Sequence, residues 1–306
     1  LFAYASMGRK ELPSGNVLHE GPVMPLGKNN HFAGTHILVP RRGVAVHINA
    51  FNFPVWGMLE KFVGNFLAGM PCIVKPATAT SYLTEACVRL MQDSGALPDG
   101  ALQLVIGGTG DLLDQLDEQD MVTFTGSAST ARKLRAHPNL INRSIPFNAE
   151  ADSLNSAILA PDVTPDDEEF DLLAKEVVRE MTVKAGQKCT AIRRILVPRQ
   201  HLDAFADRLI QRLEKVTMGD PDEEGVRMGA LASLDQKEDV AAAVNDLLNT
   251  SECIFGGNGD PRPIGQGTDK GAFFGPRLLR SKDPHADGGA HDLSLIHISE
   301  PTRPSQ

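Results

Sequence analysis

The chain has 306 residues, 42% apolar and 23% charged, with a formal net charge of −9, the composition of an ordinary globular protein of about two domains. The negative balance argues against a nucleic-acid partner, and no apolar run reaches the roughly 18 residues that would suggest a membrane span. Cys72, Cys87, Cys189 and Cys253 form no Cys-x-x-Cys pair, so free thiols in a reducing, cytoplasmic setting are expected, without a metal site or a disulfide framework.

In chain order, "VMPLGKNNHFAGTHILV" reads as a hairpin about Lys28-Asn29-Asn30. From Val44 to Glu150, apolar strands alternate with helical patterns. "VAVHINA", "PCIVKPA", "ALQLVIGG", "MVTFTG" and "RSIPFNAE" are the expected strands. "PVWGMLEKFVGNFLAG", "SYLTEACVRLMQDSG", "TGDLLDQL" and "SASTARKLRAH" are the expected helices. This alternation predicts a parallel sheet covered on both faces, with ligands gathering at the carboxyl ends of its strands. A second α/β unit is expected from near Ser153, with a long acidic helix over about Asp166 to Lys184 and the strands "TAIRRILVP", "ECIFGG" and "AFFGPRLL".

Several residues at strand ends carry chemistry, and each alone has an ordinary structural explanation. "GGTGDLL" is a partial dinucleotide fingerprint with Leu113 in the third glycine place, and a tight strand-to-helix turn explains it better. Gly126 and Ser127 of "FTGSAST" end a strand and open a helix, which suits an anion or a plain N-cap. Lys75 faces a ligand crevice or snorkels off the strand end. Asn52 of "FNFP" is an oxyanion donor or an Asx-turn residue, and Glu150 is a general base or a solvated loop carboxylate. Cys189 of "AGQKCTAIRR" is a buried inert thiol or a nucleophile. Taken together they describe a thiol nucleophile, an amide donor, a carboxylate base and an anion crevice for a dinucleotide.

"FNFP", "KPA", "FTGS" and "GQKCTA" occur in the order and spacing of the aldehyde dehydrogenase superfamily, which the chain resembles over nearly all of residues 1 to 293. "INAFNFPVWGMLEKF", "KPATATSYLTEA", "EADSLN" and "VVREMTVKAGQKCTAIRR" are most similar to the dehydrogenase domain of the bifunctional phenylacetate-degradation enzyme, and next to the benzoyl-CoA-pathway 3,4-dehydroadipyl-CoA semialdehyde dehydrogenase. The resemblance implies a Rossmann-like parallel-sheet cofactor domain (1–152, with an oligomerisation-type hairpin near 22–40) and an α/β catalytic domain (153–293), truncated at both ends. It implies NADP-dependent oxidation of a CoA-linked semialdehyde by a homo-oligomeric cytoplasmic enzyme.

By motif, Cys189 matches the nucleophile, Asn52 the side-chain oxyanion donor and Glu150 the general base. Lys75, Gly126 and Ser127 match cofactor-binding positions. Thr78 stands where most of the superfamily carries a glutamate for the adenosine ribose. Loss of that carboxylate removes repulsion against a 2′-phosphate, which favours NADP. The tail from Ser294 to Gln306 does not resemble the family and looks like translated sequencing adapter, so it is expected to be non-native. The alternatives are a cysteine hydrolase, for which no partner histidine marks itself near Cys189, and an inactive fragment of such an enzyme.

Overall fold

The computed structural model describes residues 1–153, 155–257, 259, 262–282 and the backbone of 294–295. The rest of the expected non-native tail lies outside the described residues. The chain divides into two compact units, Leu1–Ala151 and Asp152–Gln306.

The first unit opens with α1 (Phe2–Glu11), a helix whose sequence carries no amphipathic signal and which buries none of its residues. The hairpin follows, β1 (Leu18–Leu26) paired antiparallel with β2 (Phe32–Leu38). Gly27 and Asn30 take positive φ in its turn, where glycine and asparagine are tolerated best.

The unit is centred on a five-stranded parallel sheet. Its strands are β3 (Ala45–Ile48), β4 (Cys72–Lys75), β5 (Leu102–Leu104), β6 (Met121–Gly126) and β7 (Phe147–Ala151), in the order β5-β4-β3-β6-β7. All four residues of β3 are buried, as both faces of a central parallel strand should be. The helices are α2 (Trp56–Leu67), α3 (Ser81–Asp93), α4 (Ala128–Arg135) and α5 (Pro138–Asn142), the last starting on a proline at a position where no N–H is needed. The two-residue period of the strands sorts the core. Ala45, Cys72 and Val74 pack with Met58 and Phe62 of α2 and Val88 of α3. Val46, Ile48, Val122 and Phe124 pack with Ala131 of α4 and Leu140 of α5. The chain winds outward from β3 to β5 and then returns to β6, so the topological switch lies between β3 and β6.

In the second unit β8 (Ser156–Ile158) pairs in parallel with β9 (Arg194–Leu196). Between them runs α6 (Glu168–Thr182), with Glu168, Glu169 and Asp171 in its first turn and Arg179 in its last, the arrangement its dipole favours. After β9 come α7 (Leu202–Leu213), α8 (Leu234–Leu247), and the antiparallel pair β10 (Ser251–Phe255) and β11 (Arg277–Ser281). Phe170 of α6 and Phe205 of α7 meet edge to face at 5.0 Å in the core.

Two strand expectations are corrected. "AFFGPRLL" is extended as a strand only from Arg277, because Phe273 and Phe274 fill the core under α8 and Pro276 has no N–H to donate. "TAIRRILVP" is a strand only over Arg194–Leu196, because the residues before it belong to a loop pinned by side chains.

Candidate active site

In the first unit the predicted residues collect at the carboxyl end of the sheet. Asn52 lies in the bend between β3 and α2 and is half-buried. That bend is tied to the segment after β4: the Thr80 hydroxyl donates to Phe51 O at 3.1 Å and the Thr84 hydroxyl to Pro54 O at 3.1 Å. Lys75 is the last residue of β4, and its backbone carbonyl accepts the Asn49 N–H at 3.0 Å. Burial pulls the Lys75 ammonium below the usual lysine pKa. Thr78 opens the 3-10 turn Thr78–Thr80 that follows, and it is exposed.

Gly126 ends β6. A Cβ there would come within 2.6 Å of the Phe124 ring and would force that ring to shift. Ser127 is the N-cap of α4, its hydroxyl accepting the Thr130 N–H at 3.3 Å.

Glu150 lies on β7, in register with Thr125 on β6, and its side chain is exposed. The structure adds a residue the sequence did not single out. Lys61 of α2 donates to the Thr125 hydroxyl at 2.7 Å. Burial lowers the Lys61 pKa, while the negative charges of Glu150 and Glu60 partly offset that fall. Behind Lys61, the Asn65 amide donates to His47 Nε2 at 2.9 Å and to Lys61 O at 3.1 Å. The i, i+4 spacing of Lys61 and Asn65 was the available sequence signal.

The crevice fits a dinucleotide in kind. Lys75 supplies a cation at a strand end, and neither α4 nor the turn at Thr78 carries an acidic residue in its first turn. Both ends of the buried Asn49 amide lack a hydrogen-bond partner among the described residues. The partial fingerprint at Gly108 is the tight turn expected of it, closed by Leu112 N to Thr109 O at 3.0 Å.

In the second unit Cys189 is half-buried on the loop joining α6 to β9. Lys184, Ala185 and Gly186 all take left-handed backbone (φ 55°, 53° and 72°), unfavourable for the two residues with a Cβ. Surrounding hydrogen bonds hold this geometry. Gln187 Nε2 donates to Lys184 O at 2.9 Å, and Gln187 Oε1 accepts the Ala232 N–H at 3.0 Å. Lys188 and Glu180 form an ion pair at 2.6 Å, mostly out of solvent. The Cys189 carbonyl accepts from Ser153 Oγ at 2.5 Å and Asn155 Nδ2 at 2.6 Å, and Asn155 also donates to Ala191 O at 2.9 Å. Cys72 offers the contrast: it is fully buried in the first unit, and its thiol is pushed up to about 12. That is the profile of an inert core cysteine.

Among the described residues no cluster of three His, Cys, Asp or Glu could hold a metal, and no helix is long and apolar enough to cross a membrane.

The aldehyde dehydrogenase family profile matches residues 13–288. A 3,4-dehydroadipyl-CoA semialdehyde dehydrogenase from Aromatoleum evansii is 47% identical over 96% of this chain and 57% of its own length. Among solved structures, a succinic semialdehyde dehydrogenase from Streptococcus pyogenes, in complex with NADP+, superposes with a TM-score of 0.73 at 21% identity, covering 90% of this chain and 56% of that one. At that identity the likeness is one of fold. A betaine aldehyde dehydrogenase from Staphylococcus aureus, in complex with NAD+, gives 0.68 at 25% identity, covering 77% of this chain and 46% of that one. The chain thus spans between about half and three fifths of the length of these relatives.

Proposed function

The chain belongs to the aldehyde dehydrogenase family, and on that premise we propose that the protein oxidises the aldehyde of a ring-cleaved CoA-thioester semialdehyde to its carboxylic acid, with NADP as hydride acceptor. The observation that carries this reading is the setting of Cys189, a half-buried thiol on a strained loop whose carbonyl two side chains pin.

Cys189 supplies the thiolate that attacks the aldehyde carbon. The resulting oxyanion is stabilised by the Asn52 amide and the Cys189 N–H. The nicotinamide, when bound, supplies the hydride acceptor that turns the thiohemiacetal into a thioester. Glu150 takes a proton from water, which attacks the thioester carbon, and the Cys189 thiolate departs as the acid is released. Lys75, Gly126 and Ser127 would hold the phosphates and ribose of the bound cofactor. Thr78 in place of a carboxylate favours the 2′-phosphate of NADP.

The 47%-identical relative carries the substrate reading toward the 3,4-dehydroadipyl-CoA semialdehyde of benzoyl-CoA degradation. The CoA-semialdehyde of phenylacetate degradation is the second substrate, favoured by the motifs. Exposed Val23, Met24, Phe32 and Ile37 on the β1–β2 hairpin support a homo-oligomer.

Cys189→Ala should cut NADPH formation with either CoA-semialdehyde on the order of 1,000-fold or more. Glu150→Gln should release one equivalent of NADPH and then stall. Substantial steady-state NADPH production by the Cys189 variant would overturn the reading. A full rate in the Glu150 variant would remove Glu150 as the base.

A further inference from the structure

Arg193 has the largest side chain among the fully buried residues, with 1% of its surface exposed, and nothing in the reaction as described uses it. It lies four residues after Cys189. Its guanidinium donates to Lys188 O at 2.7 Å and, at the long limit of 3.5 Å, to Gly186 O. The first of these carbonyls belongs to the peptide that joins Lys188 to Cys189. Among the described residues no peptide bond is cis, and in a trans peptide the C=O and the N–H point in opposite directions. Fixing the Lys188 carbonyl therefore fixes the Cys189 N–H, aimed away from the arginine. The next peptide is fixed in the same manner by Ser153 and Asn155 acting on the Cys189 carbonyl. Both peptides flanking the Cys189 Cα are thus held by buried or half-buried side chains.

We propose that Arg193 is a positioning residue for the oxyanion site: by binding the Lys188 carbonyl it orients and polarises the Cys189 N–H toward the oxygen that becomes negative. A cation at the carbonyl end of a peptide draws electron density from the N–H end and makes it a stronger donor. A charge-assisted bond in a water-poor setting is also stiffer than a neutral one. Lysine is a poor substitute, since a single ammonium cannot span two carbonyls with a planar fork. The inference rests on the reading of Cys189 as nucleophile and adds a residue to it.

The test separates stabilisation of an oxyanion from placement of the thiol. Two rates are measured on the full chain: aldehyde-dependent NADPH formation, and alkylation of Cys189 by iodoacetamide, followed by mass spectrometry of the Cys189 peptide. Alkylation displaces iodide at a saturated carbon and develops no oxyanion. Arg193→Met should lower kcat about 10- to 100-fold, part of the loss seen when an oxyanion donor is removed outright, with KM little changed. Its alkylation rate should stay within about twofold of the parent protein, because no oxyanion donor is involved. Arg193→Lys should fall between the two and serves as the readout where the Met variant does not fold. A parallel loss of both rates would show that Arg193 only holds the loop together, and an undiminished kcat would show that the peptide needs no such support; either overturns the proposal. Failure of the underlying reading is distinguishable, since it would appear as NADPH formation surviving Cys189→Ala.

Discussion

His47 shows how one residue can sit in a strand pattern while its chemistry goes unread. "VAVHINA" announces a buried strand, and His47 is indeed fully buried at its centre. Its imidazole accepts from Asn65 and faces the Lys61 charge. Burial first, and Lys61 second, lower its pKa from 6.5 to about 4. The folded protein therefore binds fewer protons at this site than the unfolded chain between pH 4 and 6.5. Its contribution to stability is fully present above the unfolded pKa and is lost as pH falls toward 4. The depression corresponds to about 3 kcal/mol. His47→Gln should flatten the acid dependence of stability by about 2 kcal/mol, measured as urea unfolding free energies at pH 7 and pH 4.5. An identical acid slope in the two proteins would mean that other groups carry it. The strand was legible in the sequence. The pairing with Asn65, eighteen residues away on α2, depended on how α2 lies over β3.

At the scale of the element, the loop from α6 to β9 departs furthest from local preference. Two non-glycine residues adopt left-handed backbone, a cost of order 1–3 kcal/mol each. The hydrogen bonds of Gln187, Arg193 and Asn155 and the Lys188–Glu180 pair offset it. That ion pair gives an asymmetric prediction. Glu180→Met alone should cost about 3–5 kcal/mol, because it strands the Lys188 charge away from water. Adding Lys188→Met should restore most of the loss, since a well-packed apolar pair often matches a buried ion pair. Equal destabilisation of the single and double variants in urea melts would contradict this account. "AGQKCTAIRR" disclosed a turn with a cysteine. It could not disclose the pinning, because Ser153 and Asn155, Glu180 and Ala232 come from three other parts of the chain.

At the scale of the molecule, each unit builds its core from its own residues. One has two apolar layers about the five-stranded sheet, and the other packs around α6, α7, α8 and β11. Phe170 is fully buried and packs against Phe205. Phe170→Ala should cost about 3–5 kcal/mol, and the lost hydrogen-exchange protection should fall within residues 152–282. Equal loss of protection in β3, β4 and β6 would show that the two cores unfold as one.

The alternation of strands and helices, and hence the parallel sheet, is written in local sequence pattern. The same pattern also placed Asn52, Lys75, Gly126 and Glu150 at strand ends, because a period of two or 3.6 and a terminating glycine or proline are local properties. Local pattern likewise marked Cys189 as a thiol on a turn. Which groups condition these residues is settled by packing: Lys61 and Thr125 beside Glu150, His47 and Asn65 behind Lys61, Arg193 and Asn155 about the Cys189 loop. Those partners are set by burial and hydrogen bonding between distant segments. A buried polar group must find a mate wherever packing puts one, and no spacing along the chain records where that will be.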